Sequence, residues 1–406
     1  MIDIDTVNKI LKQNNLKRDT YKLVANQDVL KDLGIKYGNI LNRSSLIKIL
    51  GTLKENHGVP ERTSLSLLTH YLQNVLKLFS KIELYSEKKG EKVTRYISTY
   101  VKVSPYEIAL SLLSNSFLSH YSALYVHDLT INNPKEIYIN REQSKKPINK
   151  ENAVLTQRKV DYAFSKEMRQ TNDIYNFAYQ GIYYKVHILN AKNTNKTGII
   201  KKTPIGFSKA VQVTNRERTL LDCTIRPRYS GGAIEVLEAY YAAKTDLIVP
   251  LLADYLKKFD YIYPYEKSVL FYLKNTNYPK HAIAIIEDML AHSPNQHINF
   301  YVDYQIPRKK EDETIGIFYP SEIDEVKIEY YDSHSAQVKV RRLSNQELGK
   351  DTYQIGSVHL YDSTGEELLT LDTFTYVYDN YEEIMLDISR KFHVLKENIT
   401  IIGFIT

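Results

Sequence analysis

Apolar positions in the first 56 residues recur at helical spacing, with Val7, Ile10 and Leu11 on one face and Leu46, Ile47, Leu50 and Leu53 on another. A further helix is predicted after Pro60, capped by Ser64 and carrying Leu65, Leu68, Leu72, Val75, Leu76 and Phe79 inward. The period then falls from 3.6 to 2. Ile82 and Leu84 alternate with Glu83 and Tyr85, the polar stretch Glu87 to Lys92 turns the chain at Gly90, and Val93 to Ile97 runs back as the second arm of a hairpin. Helices followed by a basic hairpin are the layout of a winged helix-turn-helix, in which the last helix enters the major groove of duplex DNA. That layout turns Thr69, His70, Gln73, Asn74 and Lys77 outward, donors and acceptors suited to base edges or phosphates. Lys88, Lys89, Lys92 and Arg95 on the wing would lie along phosphate and release counterions. A solvated helix face and a hairpin packed on its neighbour would produce the same pattern.

The middle of the chain is mostly helical. Ser104-Pro105-Tyr106-Glu107 is a capping box with proline at the first helical position. Ser119 restarts a helix through Ala123 and Val126, and Ile137–Ile139, Tyr184–Leu189 and Ala210–Val213 read as short strands around a polar loop-and-helix stretch, 140–172. Thr214-Asn215-Arg216-Glu217 reads as a second capping box, and helices then dominate to about residue 292. Past a charged connector, Pro307 to Glu313, alternation returns at Val326, Ile328 and Tyr330 and at Val338 and Val340. A hairpin is expected around Asp362–Gly365, a helix over 380–392 and a closing strand over Ile399–Phe404. The fold class expected is therefore mixed α+β and multidomain: a winged helix-turn-helix over 1–100, an α-rich α+β domain over 101–320 and a small α+β unit over 321–406.

Charge sharpens this division. The first 100 residues hold 17 basic against 10 acidic side chains, 101–320 hold 29 against 22, and 321–406 hold 8 against 16. A basic body points to a polyanionic partner, and an acidic end to a different task. No apolar run is long enough to span a membrane, and the start, MIDIDTVNKILKQ, has no secretory pattern. With Cys223 as the single cysteine, the expectation is a reducing cytoplasm with no disulfide and no cysteine-based zinc site.

Catalytic motifs are largely missing. The chain has no phosphate-cradling P-loop, no G-x-G-x-x-G, no H-E-x-x-H and no nucleophile elbow. His120 and His127 lie seven residues apart without metal-ligand spacing, and Cys223 reads as a small buried hydrophobe. No catalytic residue, metal or cofactor is expected on these grounds. The enzymatic alternative is Asp303 with Glu325-Val326-Lys327, which resembles the carboxylate and Glu-x-Lys of a metal-dependent nuclease. Arg216, Arg218, Arg226 and Arg228 bracket one helix and are suited to phosphate or an acidic partner. Against that, Glu217 would cap the helix and Asp222 would hold an arginine internally.

Several stretches resemble one family closely. Ser104-Pro105-Tyr106-Glu107-Ile108-Ala109, continuing through Ser119-His120-Tyr121-Ser122-Ala123-Leu124-Tyr125-Val126-His127-Asp128-Leu129, is similar to the AbiEi antitoxins of type IV toxin–antitoxin systems. So are Val213-Thr214-Asn215-Arg216-Glu217-Arg218-Thr219-Leu220-Leu221-Asp222, Arg226-Pro227-Arg228-Tyr229-Ser230-Gly231-Gly232 and Phe259-Asp260-Tyr261-Ile262-Tyr263-Pro264-Tyr265. The resemblance covers residues 92–305. It implies a winged helix that represses its own operon at operator repeats, and an antitoxin domain that counteracts a nucleotidyltransferase-type toxin without being an enzyme. The chain departs from the family in its longer amino-terminal region and in its acidic 321–406 unit. The alternative reading is a non-catalytic interaction subunit of a phage-defence operon, with the acidic unit holding a neighbouring protein.

Overall fold

The computed structural model describes residues 3–14, 21–145, 154–326, 328–345, 350–372, 374 and 377–404. The chain is mixed α+β and divides into two compact units. The first comprises 1–114, 172–186 and 206–211, and the second 115–171, 187–205 and 212–406. This division does not follow the expected boundaries at 100 and 320. Two strand-bearing excursions of the chain belong to the first unit, and the acidic end shares the second unit with the central helices.

In the first unit the core is built from Val7, Leu23, Leu30, Leu46, Leu53, Leu68, Leu72 and Phe79. Helix Gln27–Lys36 leads to a two-residue strand, Ile40–Leu41. Asn42 then caps helix Arg43–His57 through a reciprocal bond with Ser45, and Gly58 ends it in the left-handed conformation. Gly34 sits mid-helix because a Cβ there would lie 2.2 Å from the Tyr100 hydroxyl and 2.7 Å from the Phe79 ring.

The helix expected over 64–79 is shorter and changes character. Ser64 caps Leu65–His70 as predicted, but Tyr71–Val75 is a π-turn in which Leu76 N–H donates to Tyr71 C=O at 2.9 Å. Lys77, at φ 50°, reverses the chain, so that Phe79 opens a strand instead of closing a helix. The hairpin forms as predicted, from Phe79–Ser86 and Lys92–Ser98. Ile40–Leu41 pairs with its returning arm, and Tyr85 and Ser86 of its outgoing arm pair with Asn176 and Tyr175 of strand Ile174–Tyr179. That strand, unrecognised in the sequence, turns through Gln180 and Gly181, both left-handed, into Ile182–Ala191, whose residues through Val186 belong to the first unit.

In the second unit the later part of Ile182–Ala191 runs beside Glu136–Glu142, followed by Phe117–Leu118, Val211–Thr214 and Ile199–Lys202. Helices Arg216–Ile225, Ala233–Ala242, Val249–Phe259, Tyr265–Asn275 and Lys280–Ala291 pack around Leu220, Val236, Tyr240, Leu252, Val269 and Tyr272. The expected loop within 140–172 falls partly on 146–153, outside the described residues.

Alternation at Val326, Ile328 and Tyr330 does not make a strand. Ser321–Glu325 and Glu329–Asp332 are 3-10 turns, and Ile323, Ile328 and Tyr331 join the helical core. The end of the chain forms its own layer, with Ser335–Asn345 paired antiparallel to Lys350–Tyr361 and parallel to Ile399–Phe404. Helix Tyr381–Phe392 covers Val338, Val340, Val358 and Leu360. Among the described residues no helix is long and apolar enough to cross a membrane.

Candidate functional site

The residues singled out for DNA binding surround the α-to-π junction and the hairpin tip of the first unit. Their hydrogen-bonding capacity is partly spent at home. Thr69 Oγ1 donates to Ser66 C=O at 2.9 Å, Gln73 Nε2 donates to Thr69 C=O at 3.0 Å, and Asn74 Nδ2 lies 3.0 Å from His70 Nδ1. His70, Asn74 and Lys77 remain exposed, while Thr69 and Gln73 are half-buried.

On the hairpin the four basic side chains have separate fates. Lys88 and Lys89 are exposed, and among the described residues no acceptor or carboxylate engages their ammonium groups. Lys92 donates to Glu83 Oε2 at 2.8 Å, and Lys81 donates to the other oxygen at 2.6 Å. These two bonds hold the Glu83 carboxyl down to about 2. Arg95 is half-buried and not offered outward. Its guanidinium donates to Ser111 Oγ at 3.1 Å and Ser111 C=O at 2.7 Å, tying the hairpin to the turn after helix Pro105–Leu110. The tip is also braced, because Glu87 N–H donates to Ile174 C=O at 2.9 Å and Asn176 Nδ2 donates to Glu87 Oε1 at 2.7 Å.

The arginine quartet of the second unit does not form one patch. Arg216 pairs with Asp246 at 3.1 Å. Arg228 is exposed, with Asp303 as the carboxylate in its field. Arg218 and Arg226 instead line a cavity of about 400 Å³, together with Asp222, Arg169, Lys192 and His120. Arg218 is buried and held in place: Nε donates to Asp222 Oδ1 at 2.8 Å, Nη1 donates to Thr194 Oγ1 and Thr197 C=O at 3.0 Å, and its Cζ lies 4.6 Å from the Phe259 ring centroid. Gly198, at φ 72°, makes room for it, since a Cβ there would lie 2.8 Å from Arg218 Cβ.

The first capping box forms as predicted, with Ser104 N–H donating to Glu107 Oε2 at 2.8 Å. The second is displaced by one residue. Thr214 ends a strand and its hydroxyl meets Thr219, so Asn215 is the cap, accepting from Arg218 N–H at 3.0 Å. Glu217 accepts from Ile248 N–H at 3.2 Å instead of capping.

His120 is buried at φ 51°, bonded through Nδ1 to Ser119 Oγ at 2.9 Å, with its edge against Tyr229. Burial, helped by the Arg218 and Arg226 charges, pushes its imidazole down to about 3 and keeps it neutral. His127 is likewise neutral, pushed down to about 3 by burial, with Nε2 against Thr214 C=O at 2.6 Å. The two histidines therefore serve different places. Cys223 is buried, and burial raises its thiol.

The nuclease constellation is not assembled as a strand pair. Asp303 accepts from Tyr304 N–H at 2.7 Å and lies beside Gly232 at the start of helix Ala233–Ala242, and Glu325 is exposed on a 3-10 turn. Lys327 lies outside the described residues. Among the described residues no group of three metal-ligating side chains converges.

Arg169 and Lys192 were not singled out in the sequence. They lie 49 and 26 positions before Arg218, with no local motif linking them to it. No family model matches the chain, and no curated protein matches it. Among solved structures, the RV2827C protein of Mycobacterium tuberculosis is similar over 72% of this chain and 89% of its own, at 10% identity and a TM-score of 0.43.

Proposed function

We propose that the chain is a DNA-binding transcriptional repressor that also acts as an antitoxin against a nucleotidyltransferase-type toxin. The observation that carries the DNA half is the order of elements in the first unit. Helix Gln27–Lys36, strand Ile40–Leu41, helix Arg43–His57, the helical segment Leu65–Val75 and the Phe79–Ser98 hairpin follow one another, with the short strand zipped onto the returning arm. A winged helix presents its recognition segment and wing in this order. Lys88 and Lys89 stand at the tip without an ion pair among the described residues, where a wing meets phosphate, and His70, Asn74 and Lys77 stay exposed on the preceding segment. The brace from Ile174 and Asn176 supports the reading, since a held tip loses less entropy on binding.

The antitoxin half rests on the AbiEi resemblance over residues 92–305. Its test is co-expression with a nucleotidyltransferase-type toxin: growth should be rescued by the full chain and by a Lys88→Gln/Lys89→Gln variant alike. Loss of rescue in that variant would merge the two activities and sink their separation. Promoter-fragment retardation by the full chain, abolished by competing polyanion, tests the DNA half; a fragment that migrates unretarded at low salt refutes it.

A further inference from the structure

We propose that the second-unit cavity is a binding site for a small phosphorylated ligand of the nucleoside monophosphate class, with Arg226 taking the phosphate and Asp222 taking an N–H or O–H of the organic part. Four cations, Arg169, Lys192, Arg218 and Arg226, line this space against a single carboxylate, so the wall carries a positive surplus suited to a dianion. The surplus is available. Arg226 is half-buried, and its guanidinium has no hydrogen bond or ion pair among the described residues. Among the described residues Lys192 donates to a neutral group, Phe259 C=O at 2.6 Å, and to no carboxylate. Arg169 stands exposed at the mouth.

A second feature independently asks for a ligand. Asp222 is 7% exposed, its Oδ1 is taken by Arg218, and its Oδ2 is buried without a donor among the described residues. A buried carboxylate oxygen left unmatched is costly, and one facing a cavity is matched by what the cavity holds. That oxygen repels a phosphate, so inorganic phosphate alone does not complete the site; the ligand must bring a donor as well as an anion. About 400 Å³ accommodates a compact organic molecule, at the lower end of ligand pockets. Tyr229 and Tyr261 supply ring surface to the wall. His120, held left-handed against Tyr229, is the strained residue often found lining such sites.

The test is calorimetric titration of the full-length protein, without DNA, with AMP, GMP, CMP and UMP, and with adenosine and inorganic phosphate for comparison. At least one mononucleotide should bind, while adenosine and phosphate bind at least tenfold more weakly. Arg226→Gln should weaken the mononucleotide at least tenfold, the scale of a charge-assisted pair. If that variant melts early, Arg169→Gln at the mouth replaces it and should weaken binding several-fold. Failure of all four mononucleotides to bind overturns the proposal, as does binding that neither variant changes. Phosphate binding as tightly as the nucleotides refutes the role of Asp222. Tight single-stranded RNA binding that mononucleotides do not compete away would assign the cavity to a polymer and equally overturn it.

Discussion

Replacing Lys88 and Lys89 together by glutamine removes two exposed cations that have no ion pair among the described residues, while touching neither the core nor any hydrogen bond of the hairpin ladder. If both neutralise phosphates, each contributes about 0.9 to the slope of log affinity against log salt, so the double variant should lose about 1.8 per bound chain. Extrapolated to 1 M salt, where the counterion contribution vanishes, this is a loss of about 30-fold at 150 mM and about 200-fold at 50 mM. Lys92 provides the internal contrast. Its ammonium already sits 2.8 Å from Glu83, which Lys81 also engages, so Lys92→Gln should move the slope by less than about 0.5. Fluorescence anisotropy of a labelled promoter duplex, titrated at several salt concentrations from 50 to 300 mM, reads these slopes directly. A double variant with the parental slope refutes the wing assignment, and a Lys92→Gln effect larger than the double variant's refutes the distinction between free and paired lysines.

Other perturbations test the second unit and the hairpin anchor. Arg218→Ala leaves Asp222 buried without its counter-ion and should cost about 3–5 kcal/mol in urea melts, and a loss below 1 kcal/mol would mean the pair is dispensable. Burial and the nearby Glu235 raise Glu238 to about 7, so the folded chain holds its proton where the unfolded chain, at the ordinary 4.5, has released it. Stability is therefore lost as pH climbs from about 4.5 to 7, and Glu238→Gln should be neutral at pH 4 and stabilising by up to about 3 kcal/mol at pH 8 in paired thermal melts; equal effects at both pH values would contradict this. Deleting residues 321–406 removes Ile323, Ile328 and Tyr331 from the helical core and should cost about 5 kcal/mol or more, whereas deleting 335–406 spares them; equal melting of the two truncations would contradict the packing. Arg95→Lys should weaken the hairpin anchor at Ser111, lowering stability by about 1–2 kcal/mol without changing the salt slope, and a changed slope would return Arg95 to the DNA face.

The elements were legible where one physical signal decided them. Ser64 and Ser104 are caps because a short polar side chain precedes an apolar repeat, and the hairpin follows from alternation around Gly90. Two competing signals produced the misses. Leu72, Val75, Leu76 and Phe79 keep helical spacing through the point where the helix ends, because the π-turn and the left-handed Lys77 bring Leu78 and Phe79 into the core by another route. Thr214 and Asn215 are both able caps, and only the preceding strand, which ends on Thr214, decides between them. The arginine quartet was open to a better reading from helical geometry alone. At about 100° per residue, Arg216 and Arg218 point about 200° apart, whereas Arg218 and Asp222 follow one another at i and i+4. Arg169, Lys192 and strand Ile174–Tyr179 were not legible, because only tertiary pairing brings them to their places.

The two units carry charge under opposite physical regimes, and this separates their chemistry. Lys88 and Lys89 are exposed and without an ion pair among the described residues, so their attraction for a polyanion should weaken as salt screens it, within a Debye length of about 8–10 Å at 0.1–0.15 M. Arg218 is desolvated, held by three acceptors and set against Phe259, and it cannot reorient toward a large partner without breaking its bond to the Asp222 carboxylate. Such a group acts as a preorganised wall and is poorly screened. With its phosphate partner Arg226 half-buried in the same wall, ligand binding in the cavity should fall less steeply with salt than the proposed DNA complex does. Parallel titrations in the same buffers measure both dependences. Equally steep curves would mean that one electrostatic surface serves both ligands, and the division of labour drawn from the pairing of individual side chains would fail.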